Sequence, residues 1–150
     1  MPPARIRIAL SLSILALAAC GGETKPPTVG ETKDFATVCD KANEGKRIAV
    51  VGYLRLPEEV KPKIGPVLRM YPTADFSGKP VGVSTTIGSQ PNQVGLIPQR
   101  YTDKDLKVNM ANGQVAGSGT KVKVSGDLYF PLVGQEFQCA LSNPLVELAN

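Results

Sequence analysis

The chain has 150 residues, a formal charge of +4 and a hydrophobic content of 42%. These values fit one domain with a buried core and exclude wholesale disorder. Histidine is absent, which removes the commonest general base and metal ligand. Arg5 and Arg7 lie in a segment predicted to be removed, which leaves 15 basic and 13 acidic side chains, a net charge of +2. A charge this small gives little support to electrostatic binding of nucleic acid.

Residues 1–20 have the order of features typical of an export signal. Two arginines precede an apolar run over residues 8–17, and two alanines follow before Cys20. The run is too short to span a bilayer comfortably, because a spanning helix needs about 20 apolar residues. We therefore predict a signal peptide over residues 1–19 and a processing site before Cys20.

The end of this signal, Leu17-Ala18-Ala19-Cys20, resembles the lipobox of bacterial lipoproteins. The resemblance implies a diacylglyceryl thioether on the cysteine, cleavage just before it and acylation of the new amino group. Two or three acyl chains anchor a protein stably, whereas one anchors it weakly. Gly21, where an aspartate would indicate inner-membrane retention, implies by analogy the outer membrane, facing the periplasm. In a Gram-positive envelope the implied location is the cell surface, and an ordinary secretory signal with a chance cysteine is the alternative.

The residues after Cys20 change character at residue 34. Residues 21–33 contain glycine, proline, threonine and charged residues without apolar periodicity, so residues 20–33 are predicted to be the lipidated cysteine and a flexible tether. A folded domain is predicted over residues 34–150. It begins with a short helix over residues 34–45, because apolar residues recur there at helical spacing. These residues are Phe35, Val38, Cys39 and Ala42.

Two similar stretches dominate the predicted domain. Residues 47–57 and residues 121–131 each alternate in polarity, contain a central glycine and end at a proline. Alternation with a period of two predicts strands with one buried face, and a central glycine marks a bend or a close backbone approach. Two long bent strands are typical of a small, strongly curved barrel.

The other predicted elements are shorter. Alternation or β-branched residues predict strands over residues 67–71, 80–87 and 136–141, the last interrupted at Asn143-Pro144. Asn112-Gly113 predicts a hairpin, because both central residues of its turn need positive φ. Two irregular loops are predicted over residues 57–66 and 88–105, the second with Val94, Leu96 and Ile97 in the core.

Residues 45–54, GKRIAVVGYL, and residues 119–130, GTKVKVSGDLYF, resemble the first and fourth strands of the OB-fold, the oligonucleotide/oligosaccharide-binding barrel. The chain is similar to small envelope lipoproteins with an OB-like domain of the anticodon-binding type. The resemblance covers about residues 46–148. It implies a mainly β fold, a small OB-like β-barrel with a short amino-terminal helix. The chain departs from the family where a helix is expected between strands three and four, and a β-sandwich is the alternative fold.

With Cys20 lipidated, Cys39 and Cys139 remain. An even number of cysteines in an oxidising compartment predicts a disulfide. A redox-active pair is the functional alternative, although neither residue lies in a Cys-X-X-Cys motif. Two reduced, buried thiols are the third possibility.

The residue pattern does not predict catalysis. The hydroxyl residues Ser84, Thr85 and Thr86 have no histidine base, and no Ser-x-x-Lys motif occurs. Asp103 and Asp105 lack the rest of a calcium-binding loop, so we predict that they cap a turn. We expect no enzyme activity, no metal and no other cofactor.

Basic residues and tyrosines alternate on the outward side of the predicted strands. Such a surface suits an anionic polymer or a stacked ring, and an ordinary solvated sheet face is the alternative. We predict a lipid-anchored, non-catalytic binding module for another envelope protein or a small ligand. The alternative function is polyanion or glycan binding through this face, and nucleic acid is not an expected partner in the periplasm. The predicted face comprises Tyr53, Arg55, Arg69, Tyr71, Lys121, Lys123 and Tyr129.

Overall fold

The computed structural model describes residues 26–61, 65–132 and 136–150, so the predicted signal peptide and Cys20 lie outside the described residues. Two 3-10 turns, Lys41–Asn43 and Asp103–Asp105, are the helical elements of this part of the chain. No helix in it is long and apolar enough to cross a bilayer. The strands are β1 (Glu31–Thr32), β2 (Arg47–Arg55), β3 (Val67–Tyr71), β4 (Val81–Ser84), β5 (Val108–Asn109), β6 (Val115–Ala116), β7 (Lys121–Tyr129) and β8 (Ala140–Leu148).

Five strands close into a barrel in the order β2–β3–β4–β8–β7, with β7 paired back onto β2. Neighbouring barrel strands are antiparallel except β4 and β8, which run parallel. The predicted mainly β barrel is confirmed, and the alternative sandwich is wrong. Alternate residues of the two long strands fill the interior, as the period of two predicts. These buried residues include Ile48, Val50 and Leu54 of β2 and Val122, Val124 and Leu128 of β7.

The central glycines of β2 and β7 lie where two backbones approach closely. A Cβ atom at Gly52 would collide with the carbonyl oxygen of Tyr71 on β3. A Cβ atom at Gly126 would lie 2.8 Å from the Cβ of Leu141 and 2.8 Å from the carbonyl oxygen of Ser142. The predicted close approach at both glycines is confirmed.

The helix predicted over residues 34–45 is wrong. The chain forms consecutive hydrogen-bonded turns there, and the only 3-10 turn among them is Lys41–Asn43. The buried side chain of Asn43 donates hydrogen bonds to the carbonyl oxygens of Thr37 and Val38, at 3.1 and 3.2 Å. In an α-helix these carbonyls would accept from backbone N–H groups, so the asparagine side chain replaces helical hydrogen bonds.

Cys39, at the end of the first turns, forms the predicted disulfide with Cys139. Their Cα atoms are 5.5 Å apart, and the two residues are separated by 100 positions in sequence. Val38 is buried and Phe35 packs against the core, whereas Ala42 is exposed. The bond therefore ties the amino-terminal turns to the residue immediately before β8.

Residues 26–33, predicted as the end of the flexible tether, lie against the barrel, and we name them the strap. Its strand β1 runs parallel to the start of β2, with Glu31 opposite Ile48. Gly30 allows this approach, since a Cβ there would lie 2.6 Å from the carbonyl oxygen of Ile48. The ordered domain therefore begins before residue 34, its predicted first residue.

Arg47, the first residue of β2, holds the strap by its side chain. Its Nε donates to the carbonyl oxygen of Thr28 at 2.6 Å. Its Nη1 donates to Asp127 Oδ1 at 3.2 Å and to the carbonyl oxygen of Asn143 at 3.1 Å. One guanidinium thus connects the strap with β7 and β8.

The last strand covers residues 140–148 instead of the predicted 136–141, so residues 136–139 are not strand, and the predicted interruption at Asn143-Pro144 is a β-bulge within the strand. Asn143 has a φ of 49°, in the left-handed region that asparagine tolerates. The register between β8 and β7 shifts between Ser125 and Asp127. This β-bulge accommodates the proline, which has no N–H to donate to the ladder.

The connection between β4 and β7 contains the predicted hairpin. β5 and β6 flank Asn112-Gly113, and Gly113 has a φ of 82°. Val94 is fully buried and Ile97 packs against the core, but Leu96 is 85% exposed, so its predicted burial is wrong. Further core residues from this connection are Leu106, Val108, Met110 and Ala116.

Removal of the disulfide should lower the free energy of unfolding while the barrel is retained. The chain-entropy model gives about 4.7 kcal/mol for a closed loop of about 100 residues. We expect the Cys39→Ser/Cys139→Ser variant to lose about 4 kcal/mol in urea unfolding followed by circular dichroism. Reductant should produce the same loss in the parent protein and none in the variant. Identical midpoints for the oxidised and reduced parent would contradict this role.

Candidate functional site

The structure brings together five of the seven residues of the predicted face, on the outer side of β2, β3 and the start of β7. Tyr53 lies opposite Tyr71 on β3 and opposite Lys121 on β7. Arg55 lies opposite Arg69. The residues that alternate with them along each strand are buried in the barrel interior, so these side chains point outward, as predicted.

Part of this face is covered by the protein itself. Tyr71 and Arg69 are each only 7% exposed. Phe76, from the hairpin between β3 and β4, packs edge-on against Tyr71, with ring centroids 5.6 Å apart. The guanidinium carbon of Arg55 lies 5.3 Å from the Phe76 ring centroid. Phe76 thus occupies aromatic surface that the sequence assigned to a stacked ligand.

The 3-10 turn Asp103–Asp105 supplies a carboxylate to the same face. The N–H of Thr102 donates to Asp105 Oδ2 at 2.7 Å, so Asp105 caps the turn as predicted. Asp103 instead pairs with Arg55, with Oδ2 2.7 Å from Nε. Among the described residues no cluster of three or more histidine, cysteine or acidic residues is arranged to hold a metal ion.

The remaining basic residues of the predicted face differ in their pairing. Lys123 Nζ lies 3.2 Å from Glu147 Oε2 on the neighbouring strand β8. Lys121 is exposed, and within the described ranges it is the one cation of the face without an ion pair. Because most of the positive charge is matched locally, the geometry gives little support to attraction of a polyanion.

Arg69 is paired with glutamates from two different segments. Its Nε lies 2.6 Å from Glu136 Oε1, and its Nη2 lies 3.4 Å from Glu58 Oε1. Burial alone would lower the pKa of Arg69, but its contact with the Glu136 carboxylate and the charge of that carboxylate outweigh burial and raise the pKa. A permanently charged guanidinium therefore joins the segment after β2 to the segment before β8.

A groove of about 510 Å³, within the size range of ligand pockets, lies at one end of the barrel, where β3 begins at Val67 and β4 ends at Ser84. Its first wall comes from the residues that follow β2, and its second wall from the residues that follow β7. The two walls, with the strand residues between them, consist of Pro57, Glu59, Lys61, Gly65, Pro66, Val67, Ser84, Thr85, Tyr129, Pro131, Leu132, Glu136 and Phe137.

Tyr129 is the one residue of the predicted face that lines this groove. Its hydroxyl lies 2.7 Å from the Ser84 Oγ. The Phe137 ring packs against Gly82 on β4, where a Cβ would lie 3.0 Å from the Cγ of the ring. Leu132 is 87% exposed at the rim. The groove therefore combines aromatic and apolar surface with a pair of hydroxyl groups.

The ionisable groups of the groove do not favour anions. Glu59 and Glu136 contribute two carboxylates, and Lys61 contributes one ammonium. Arg69 matches the charge of Glu136, and the charges of Glu59 and Lys61 cancel, so the lining has no excess positive charge to attract a phosphate or carboxylate. Neutral groups fit this electrostatic environment best.

Most groove residues carry no distinctive sequence signal. Glu136 and Phe137 begin a predicted strand, which does not mark them as a site, and Ser84 is notable in the sequence only as a hydroxyl without a base. The usable signal is the proline that ends each long bent strand. Pro57 and Pro131 begin the two walls of the groove.

No protein-family model matches the chain, and no curated protein matches it. The chain is characterised by its own geometry, a closed five-stranded barrel with a groove at the ends of two adjacent strands.

Replacement of Arg69 by methionine should loosen both walls of the groove, because both glutamates lose their shared partner. We expect a loss of about 1 kcal/mol in the free energy of unfolding, because the side chains of Glu58 and Glu136 are 86% and 45% exposed and solvent screens both contacts. Amide hydrogen exchange should accelerate at residues 57–61 and 136–139 together. The control Lys121→Met, at an exposed and unpaired side chain, should change stability by less than about 0.5 kcal/mol. Faster exchange in one wall alone would contradict the link.

Proposed function

We propose that the protein is a lipid-anchored, non-catalytic binding module of the bacterial cell envelope, built on an OB-like barrel. The observation that carries the proposal is the groove at the adjoining ends of β3 and β4, between the segments that follow β2 and β7. OB-fold barrels bind ligands on their second and third strands, flanked by the loops after the first and fourth strands. Here β3 and β4 are the second and third barrel strands, and the walls follow the first and the fourth.

Two features support an envelope location. The lipobox-like Leu17-Ala18-Ala19-Cys20 follows a positively charged and apolar segment, the order that lipoprotein signals have. The disulfide between Cys39 and Cys139 suits an oxidising compartment, where such bonds persist. We place the protein on the outer membrane, facing the periplasm.

The groove supports binding to another envelope protein or a small ligand more than it supports catalysis. The Ser84 hydroxyl is paired with the hydroxyl of Tyr129, whereas a serine nucleophile needs an adjacent general base such as histidine. Histidine is absent from the whole sequence. The aromatic rings and hydroxyl groups are suited to contact and orientation of a ligand.

Polyanion or glycan binding through the face of Tyr53, Arg55 and Lys121 is the second candidate function. The outward alternation of basic and aromatic residues favours this function. The ion pairs of Arg55 and Arg69 reduce the positive charge that would attract a polyanion. Such binding would weaken steeply with salt, because it depends on unscreened charge.

Loss of the lipid acceptor should release the protein from the membrane. We expect the Cys20→Ala variant to incorporate no labelled palmitate and to move from the membrane fraction to the soluble fraction of the envelope. The Cys39→Ser/Cys139→Ser variant, with its lipid acceptor intact, is the control and should remain in the membrane fraction. Membrane retention of Cys20→Ala without label would remove the anchor from the proposal.

Ligand binding should depend on the groove and not on the basic face. We expect a partner captured from envelope extract by the full-length protein to be lost with Tyr129→Ala and kept with Tyr53→Ala, a matched tyrosine on the other face. Capture should change little between about 50 and about 300 mM salt. Loss with Tyr53→Ala, or a steep fall with salt, would favour the second candidate function. Thermal unfolding of both variants checks that each remains folded.

A further inference from the structure

The strap and the ligand groove meet at one end of the barrel. A second groove of about 570 Å³ is lined by Pro26 and Pro27 of the strap. It shares Ser84 and Thr85 with the ligand groove, so the two adjoin there. The first described residues of the chain therefore lie beside the proposed binding site.

The strap is held to the barrel by backbone contacts. The N–H of Lys33 donates to the Ala49 carbonyl oxygen at 2.9 Å, one residue beyond the parallel ladder of β1 with β2. The hydrogen bond from Arg47 to Thr28 adds a charged donor at 2.6 Å. Val29 is 55% exposed, so apolar burial is not what keeps the strap in place.

The docked strap shortens the distance between a lipid anchor and the domain. Cys20 precedes Pro26 by six residues, a span of at most about 20 Å in a fully extended chain. A free segment from Cys20 to residue 34 would reach about 45 to 50 Å. A lipidated Cys20 would therefore keep the domain close to the membrane, with the groove on the side nearest the anchor.

We propose that the strap holds the ligand groove at the membrane surface, where the groove binds an extended peptide segment of a membrane-embedded envelope protein. This inference rests on the proposed lipid anchor and on the proposed groove. Beyond the proposed function, it states that the groove faces the membrane and that its partner is a peptide segment of a membrane-embedded protein.

The composition of the groove favours a peptide over a lipid headgroup. The rings of Tyr129 and Phe137 line the groove, and aromatic-lined grooves accept extended peptides. Because Arg69 matches Glu136 and Lys61 balances Glu59, the lining has no excess positive charge for the phosphate of an anionic lipid, and it favours a neutral segment. The exposed Leu132 at the rim adds an apolar contact for such a segment.

The hairpin between β3 and β4 provides an internal control position. Val67 pairs with Ser84 at the groove end of these strands, whereas Met70 pairs with Val81 at the hairpin end. Ser77 is exposed in this hairpin, away from the groove and the strap. A probe there reports general proximity to envelope proteins.

The test is site-specific photo-crosslinking in cells that make the full-length chain, with the photoreactive residue at position 132 or at position 77. We expect position 132 to give an adduct with one membrane-embedded protein and position 77 to give none. Digestion of the adduct should map it to an extended segment outside the bilayer. A lipid, a glycan, a soluble protein or no adduct at position 132, or equal yields from both positions, would overturn the proposal.

Release of the strap tests the role of orientation. Gly30→Val blocks the close approach of the strap to Ile48 and leaves the contacts of Arg47 with β7 and β8 in place, and the adduct yield at position 132 should fall several-fold. Lys33→Gln is the matched control, because its side chain pairs only with the exposed Glu31 while its backbone bond remains. Unchanged yield in the released variant, with the barrel still folded by circular dichroism, would overturn the role of the strap.

The Cys20→Ala variant separates this inference from the proposed function. An adduct that persists in a fully soluble Cys20→Ala protein would overturn the placement at the membrane while the groove remains a binding site. A parent protein that incorporates no palmitate would instead remove the anchor itself.

Discussion

The antiparallel ladder between β2 and β7 is the contact on which the rest of the structure depends. It runs from Arg47 opposite Asp127 to Tyr53 opposite Lys121, and it turns an open sheet into a closed barrel. Closure determines which side of every strand faces solvent. It also determines where each long strand ends, and therefore where both walls of the groove begin. The strap depends on it as well, because Arg47 contacts the strap and Asp127 together.

The barrel could be predicted from the sequence because its long strands carry a local signal. Period-two alternation identifies the inward residues of β2 and β7, and a glycine at the centre of each marks the close approach. The strap could not be predicted in this way. β1 has two residues and no periodicity, and its pairing is decided by Arg47 and by the backbone of β2. The composition of residues 26–33 is that of an ordinary linker.

The predicted amino-terminal helix shows the limit of spacing arguments. Phe35, Val38, Cys39 and Ala42 have helical spacing, yet the segment forms turns. A helix this short is marginal without further support. The buried amide of Asn43 competes for the carbonyl oxygens that the helix would need. A side chain that replaces backbone hydrogen bonds leaves no trace in an apolar pattern.

The sequence predicts which way the side chains of the candidate site point, but it does not predict which residues surround them. Strand alternation places Tyr53, Arg55 and Tyr129 on the outer surface, as observed. Their partners come from loops and from β4, which β8 separates from β7: Asp103 and Phe76 contact Arg55, and Ser84 contacts Tyr129. Loop contacts depend on the closed fold and not on local periodicity, so the sequence alone did not separate the open groove from the covered face.

The pairing of Arg69 with both Glu58 and Glu136 has a consequence for the thermodynamics of recognition. A ligand that settles between two independent loops loses part of its affinity to the conformational entropy of ordering them. Here one buried guanidinium contacts both segments before any ligand arrives, Glu136 at 2.6 Å and the more exposed Glu58 at 3.4 Å. Part of that entropy is therefore lost during folding, which lowers the cost of ordering the groove on binding.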